Sequence, residues 1–470
     1  MLIKGQGLAQ PQSLIVFYMM KRIWRLYRPH YAETRRLALP VIVAQIGQIT
    51  VGLADNMMIG RLGKTELAAA AFANTLFSLP LIFGMGFAMA ITPLTGKATG
   101  SNDYSELKSL KKAAFGANGV MAAILIAAST LLYSAMPYMH QPESILEYSQ
   151  QYFSVIGLSI IPLMLFLSGK QFAEGLSNTK LAMMITLGAN VFNILGNYML
   201  IFGKWGAPEL GLVGAGWSTL FARVLMAIGM LVFIRKLHRE QLKSVVINFK
   251  ELAASTLKII KLGIPMGLHM FSESSAFIVA GIMMGWISET GLAAHQIVIS
   301  LSTFGFMLYQ GIGVSTTIRI SQLAGRQVPA LIKRASNASI QIVFGMVIII
   351  SIAFVSMSTW LPTLFTTDAG VIKLASQMII VLAVFQLFDA IQIIYSGILR
   401  GMADATVPGI LTFICYFIIT IPFSYWAAFH GGFNEIGIWM GFPVGLSICA
   451  LMFHFRLKYL HRKLLVSMQA

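Results

Sequence analysis

The chain is a succession of apolar runs, among them 41–59, 113–136 and 340–361, separated by short connections. A segment that crosses a bilayer needs about 20 apolar residues. No water in the hydrocarbon satisfies its backbone, so only helices and closed barrels are admissible there. The runs have helix length, and none shows the alternating pattern of a barrel strand. A hydrophobic content of 57%, a charged content of 11% and a mean hydropathy of +0.76 lie outside the soluble range. The expected fold is therefore an all-α integral membrane protein with twelve transmembrane helices, at 37–60, 67–94, 113–136, 150–169, 181–203, 213–234, 262–286, 291–318, 336–361, 376–399, 408–430 and 436–455.

A formal charge of +17 from 34 Lys and Arg would suggest nucleic acid in a soluble domain. Placement excludes that reading. The bases cluster in every second connection, and the exceptions are Arg61, Lys64, Lys204 and Lys373, with Arg223 inside the sixth span. This is the positive-inside pattern, so a bacterial inner-membrane location with both termini cytoplasmic is expected. The apolar stretch 13–20 is short and is followed by Lys21, Arg22, Arg25 and Arg28 rather than a cleavage site, so it does not read as a signal peptide. The expected division is a cytoplasmic segment 1–36, a six-helix bundle 37–234, a basic cytoplasmic linker 235–261, a second six-helix bundle 262–455 and a cytoplasmic tail 456–470. Cys415 and Cys449 both fall in apolar runs, where no disulfide is implied.

The two halves repeat. Leu39-Pro40 aligns with Ile264-Pro265, Thr65-Glu-Leu-Ala-Ala with Thr290-Gly-Leu-Ala-Ala, Gly84-Met-Gly-Phe with Gly311-Ile-Gly-Val, and Glu174-Gly-Leu-Ser-Asn with Arg400-Gly-Met-Ala-Asp, at nearly constant offset. With six helices per unit, the second copy enters the membrane from the same side as the first. The repeat is thus parallel, with a pseudo-two-fold along the membrane normal and a cleft between the bundles.

Of the 17 acidic residues, Asp55, Glu273 and Asp389 fall well inside apolar spans. A carboxylate at the centre of a span costs roughly 2.5 to 3.5 kcal/mol on insertion scales, so such residues usually face a cavity and bind something. Removal from water also favours the neutral carboxyl, which suits a group that exchanges a proton near neutral pH. The repeat counterparts are Gln48 for Glu273, Ala280 for Asp55 and Leu163 for Asp389, so the acids are not symmetry copies. Their unequal distances from the paired prolines suggest two separate sites.

In the first bundle, Thr186, Asn190, Asn193 and Asn197 share one face of the fifth helix. With Asp55 and with Thr219 of the sixth helix they offer the oxygen ligands of a hard cation, or alternatively a polar seam that joins helices. In the second bundle, His269 lies four residues before Glu273, Gln386, Asp389 and Gln392 form a second stripe flanked by Tyr395, and Gln296 follows in the eighth helix. An acid among aromatic and methionine side chains suits a lipophilic cation. His269 and His295 lack ligands at metal spacing, and no P-loop, metalloprotease or nucleophile-elbow motif occurs, which disfavours an ATP-driven pump or a membrane enzyme.

The run Asp55-Asn-Met-Met-Ile-Gly after Leu39-Pro40, Ala293-Ala-His-Gln-Ile in the eighth helix and Leu399-Arg-Gly-Met-Ala-Asp after the tenth resemble the multidrug and toxic compound extrusion (MATE) family over almost the whole chain. Glu273 and Asp389 make it look like the NorM-type branch, whose members use carboxylates of the seventh and tenth helices. Asn197 departs from relatives that carry an acid there. The resemblance implies two bundles in a V with a cavity of alternating access, and an antiporter that exports small organic cations or amphiphiles in exchange for H+ or Na+. No cofactor, no nucleic-acid partner and a monomer are expected; Na+ at the acids is one candidate for the coupling ion. A lipid-linked precursor flippase of related fold is the alternative, and it would need several Arg or Lys in the cavity.

Overall fold

The computed structural model describes residues 12–237 and 247–466. Among these, the chain is helical with no strand, and twelve helices are long and apolar enough to cross a membrane. The first six are α1 (Arg25–Gly60), α2 (Lys64–Gly100), α3 (Tyr104–Met139), α4 (Glu143–Gly175), α5 (Thr179–Phe202) and α6 (Gly211–Lys236). The second six are α7 (Phe249–Ile287), α8 (Glu289–Gly325), α9 (Pro329–Ser356), α10 (Ala369–Gly401), α11 (Thr406–Phe429) and α12 (Asn434–Lys463). Most of α2 to α6 packs around one apolar core that includes Phe87, Phe153 and Phe166, while two adjoining cores of α7 to α12 include Trp439, Phe442 and Phe453.

The first helix of each half reaches into the other. Ala38 belongs to a core of the second half, and Ile259 to the core of the first. The sequence placed 250–261 in a linker, yet α7 starts at Phe249, with Asn248 capping the Glu251 N–H at 2.8 Å. Its charged residues concealed an amphipathic pattern: Ser255, Ile259 and Leu262 are buried on one face at helical spacing. Likewise α1 continues amino-terminally to Gln12, through most of the segment read as preceding the bundle. Residues 1–11, 238–246 and 467–470, which complete the expected amino-terminal segment, linker and tail, lie outside the described residues.

The halves meet at one end, where α2 and α8 terminate and α1 and α7 begin. There the backbones of α2 and α8 touch: a Cβ on Gly100 would strike the Gln322 carbonyl, and one on Gly325 the Lys97 carbonyl. Further along, Gly86 of α2 faces Gly267 of α7, and Gly311 of α8 faces Ile42 of α1. These contacts are images of one another at the repeat offset. They pair Gly86 with Gly311, so the alignment of Gly84 with Gly311 shifts by two residues. Within each half the same symmetry recurs in the Thr92 hydroxyl bonded to the Gln171 carbonyl (3.1 Å) and the Thr317 hydroxyl bonded to the Gly397 carbonyl (2.9 Å).

Polar contacts close this end. Arg319 of α8 donates to the His30 carbonyl (2.9 Å) and the Thr34 hydroxyl (2.6 Å) of α1, and Lys258 of α7 pairs with Glu106 of α3 at 2.6 Å. The Gln322 amide donates to the Gly175 carbonyl and the Ser177 hydroxyl, both at 2.9 Å.

Gly100→Ala or Gly325→Ala should lower stability by about 1–3 kcal/mol through overpacking at the crossing. Gly116→Ala, whose Cβ would meet nothing, should be neutral or stabilising by about 0.5–1 kcal/mol, as expected in a helix interior. Thermal denaturation in detergent checks this, and equal effects at the three positions would contradict the crossing geometry.

Candidate functional site: a cavity between the halves

Beyond the closed end lies a cavity of roughly 690 Å³ lined by α1, α2, α4, α5 and α6 of the first half and α7, α8 and α10 of the second. Asp55, Glu273 and Asp389 all line it. The two groups of acids expected from the sequence therefore stand on opposite walls of one cavity, Asp55 on the first-half wall and Glu273 and Asp389 on the second-half wall.

On the first-half wall, the stripe of α5 meets Asp55 as its spacing predicts. Asn197 Nδ2 donates to Asp55 Oδ1 at 2.5 Å. With its amide turned so that both ends are satisfied, Asn193 donates to the same oxygen at 3.0 Å and accepts from the Thr219 N–H at 3.3 Å. The Asn193 carbonyl is fixed by the Ser218 hydroxyl at 2.7 Å. Asn190 and Thr219 line the cavity, and the Asn190 amide nitrogen has no hydrogen-bond partner. Thr186 instead bonds back to the Ala182 carbonyl at 2.9 Å and is absent from the wall.

Arg223, which the sequence left without a role, lies one helical turn from Thr219 and lines the cavity. Its guanidinium donates to the Ser159 hydroxyl at 2.6 Å and stands 5.4 Å from the centre of the Phe77 ring. A fixed positive charge thus shares the space with Asp55, close enough for the two charges to act on each other.

On the second-half wall, Glu273 faces the cavity from α7 and Asp389 from α10. Asp389 is 1% exposed, and neither carboxylate oxygen has a hydrogen-bond partner. The hydroxyls of Tyr309 and Tyr416 are also buried without partners. Such a set of buried oxygens is suited to a proton, a hard cation or water. Among the described residues no group of three or more His, Cys, Asp or Glu side chains is arranged to hold a metal ion.

The remaining second-half candidates do not form part of the wall. His269 is buried behind Glu273, between the Thr412 hydroxyl (3.3 Å) and the Gln392 amide (3.4 Å). Gln386 is packed against Gly305 and donates to the Ser302 carbonyl at 3.3 Å. Tyr395 bonds to His454 at 3.1 Å, and Gln296 is exposed on α8. The reason is rotational. At 3.6 residues per turn, a spacing of three moves each successive side chain back by about 60°, so Gln386 and Gln392 diverge to either side of Asp389.

The sequence did not single out the aromatic wall. Phe277 and Phe385 line the cavity, and Phe277 stacks on Phe442 with ring centres 4.5 Å apart. Phe385 stands edge-on to Phe277 at 6.0 Å, and Trp439 closes the cluster with its indole bonded to His295 Nδ1 at 3.1 Å. Phe277 lies four residues after Glu273 and Phe385 four before Asp389, and this helical spacing from the acids was the available signal. Also unselected was Glu174, which falls between the expected spans 150–169 and 181–203 and lines the cavity beside Lys170.

The MatE family model matches residues 40–199 and 265–426, two stretches that begin one repeat length apart. The chain is similar to the multidrug resistance protein NorM of Photobacterium profundum, with 31% identity over 446 residues covering 92% of this chain and 96% of the relative. It is also similar to the probable multidrug resistance protein NorM of Rhizobium meliloti, with 32% identity covering 92% of this chain and 94% of the relative. Among solved structures, the eukaryotic MATE transporter AtDTX14 aligns with a TM-score of 0.84 at 17% identity, covering 93% of this chain and 98% of that one. A multidrug resistance MATE family transporter in an outward-facing conformation aligns at 0.82 and 18% identity, covering 93% and 96%. At these identities the structures share the fold.

Removing the positive charge from the cavity should favour a cationic ligand. Arg223→Gln should tighten binding of tetraphenylphosphonium to the purified protein about threefold or more. Unchanged or weakened binding in a folded variant would show that this charge does not act on the cavity.

Proposed function

The chain belongs to the MatE family, and from that premise we propose that it exports cationic and amphiphilic drugs in exchange for H+ or Na+ by alternating access of its cavity. Its place among multidrug efflux transporters follows from the family and its NorM relatives. The observation that carries the antiport reading is that Asp55, Glu273 and Asp389, from opposite halves, share one cavity with the aromatic wall of Phe277 and Phe385. A lipophilic cation would place its charge toward an acid and its apolar body on the rings.

Exchange requires that the drug and the coupling ion disfavour each other, because only differential affinity between states drives a cycle. Protonating Glu273, Asp389 or Asp55 removes a charge that holds the drug, and Na+ at the same oxygens neutralises it. Release and ion uptake then become one event. Asn197 and Asn193 supply Asp55 with neutral donors, so its carboxylate is held in place without being cancelled by a bonded cation.

The base-rich connections lie at the closed end. By the positive-inside rule that end faces the cytoplasm, with both termini, and the cavity of this state is reached from outside. A monomer in the bacterial inner membrane is sufficient, since all walls of the cavity come from one chain. The flippase reading is not favoured: Arg223 and Lys170 are the basic residues of the cavity, against four carboxyls.

Glu273→Gln and Asp389→Asn should each abolish efflux of ethidium from right-side-out vesicles driven by a proton or sodium gradient. Undiminished efflux in both variants would remove these acids from the mechanism. A sodium pulse followed by an acid pulse in the same vesicles identifies the coupling ion: the gradient that moves ethidium in the wild-type protein is the one exchanged.

A further inference from the structure

Glu174 differs from the three acids discussed so far. It lies at the end of α4, where the halves are closed, and it lines the cavity while being only 1% exposed. One carboxylate oxygen, Oε1, stands 3.8 Å from the Lys170 ammonium, one helical turn earlier. The other, Oε2, is buried with no hydrogen-bond partner. The next residue, Gly175, accepts the Gln322 amide across the two halves at 2.9 Å, so the carboxyl adjoins a contact that must break when this end opens.

The repeat shows that this carboxyl is not required by the fold. Gly175 packs against the Thr92 carbonyl as its counterpart Gly401 packs against that of Thr317. The position before each glycine holds Glu174 in the first half and Arg400 in the second. One backbone site thus accepts opposite charges, and packing does not explain the acid. Among the described residues, the ion-pair partner of Glu174 is Lys170. Lys170 faces it, and α2 brings Thr92 and Thr95 against the adjoining Gly175. The Thr92 hydroxyl is bonded to Gln171, and α8 brings the Gln322 amide to the adjoining Gly175 carbonyl.

We propose that Glu174 is a fourth proton-binding acid of the cavity, placed at its closed end, with Lys170 as its built-in counter-ion. The inference rests on the exchange reading and adds to it a carrier on the cytoplasmic side. A proton from cavity water bonds to the carboxylate while this end is closed. When the Gln322 contact breaks and the end opens, the proton passes to cytoplasmic water, and the Lys170 ammonium compensates the carboxylate left behind. Neither step requires Glu174 to touch the drug.

The test uses the full-length protein in lipid, with infrared difference spectra recorded as pH is stepped. A carboxyl C=O band that appears on acidification should be missing in Glu174→Gln and retained in Glu273→Gln and Asp55→Asn. In the same Glu174→Gln protein, tetraphenylphosphonium affinity should stay within about twofold while proton-driven ethidium efflux falls about tenfold or more. Bound tetraphenylphosphonium also reports that the variant is folded. If Glu174→Gln does not fold, Glu174→Asp decides: the band should persist at a shifted frequency, and a spectrum identical to wild type overturns the proposal. A Glu174→Gln spectrum identical to wild type, or efflux at the wild-type rate, also overturns it. If the wild-type protein shows no proton- or sodium-driven efflux, the exchange reading fails, and the infrared band still reports whether Glu174 binds a proton.

Discussion

A carboxyl group in a helix that crosses hydrocarbon must have water, a partner or a ligand to face, and the arrangement of the two halves is what supplies that space here. Asp55 meets the amides of Asn197 and Asn193. Asp389 has no hydrogen-bond partner on either oxygen and opens on the cavity, as does Glu273. If the halves packed along their whole length, these acids would be sealed in a medium that does not tolerate them. Packing at one end alone leaves a cavity in which each carboxyl can be reached, and in which a bound cation lowers the cost of its charge.

That one-ended packing is built from symmetric parts. Gly100 and Gly325 let α2 and α8 cross backbone to backbone, and the beginnings of α1 and α7 dock on the opposite halves. Onto this symmetric frame the sequence places asymmetric chemistry. Gln48 and Glu273 are repeat counterparts that both line the cavity, one neutral and one acidic. Glu174 and Arg400 occupy one position with opposite charge. The fold therefore sets how the halves close, while single substitutions between the repeats set which wall binds what.

The helices, the repeat and the acids were legible in the sequence because each leaves a strong local signature: a long apolar run, a constant offset, a charge where charge is costly. The stripe from Asn190 to Asn197 was legible for the same reason, since its spacing keeps one face. Tertiary consequences were not. Nothing local shows that α1 and α7 begin against the opposite halves, or that the acids of both halves face one cavity. Gln386, Asp389 and Gln392 read as one stripe, but a spacing of three rotates them apart. Phe277 and Phe385 were hidden among 31 phenylalanines, and only their position one turn from an acid distinguishes them. Glu174 was hidden by its place between two expected spans, where a carboxylate is ordinarily solvated; here it is buried beside the contact of Gly175 with Gln322.

The central claim is that drug and coupling ion compete for the acids of one cavity. The most direct test is the affinity of the purified protein for tetraphenylphosphonium as a function of pH at fixed low sodium. If protonation displaces the drug, Kd should rise on acidification, approaching about tenfold per pH unit where one proton is taken up for each cation released. A Kd independent of pH, with sodium also without effect, would contradict the account.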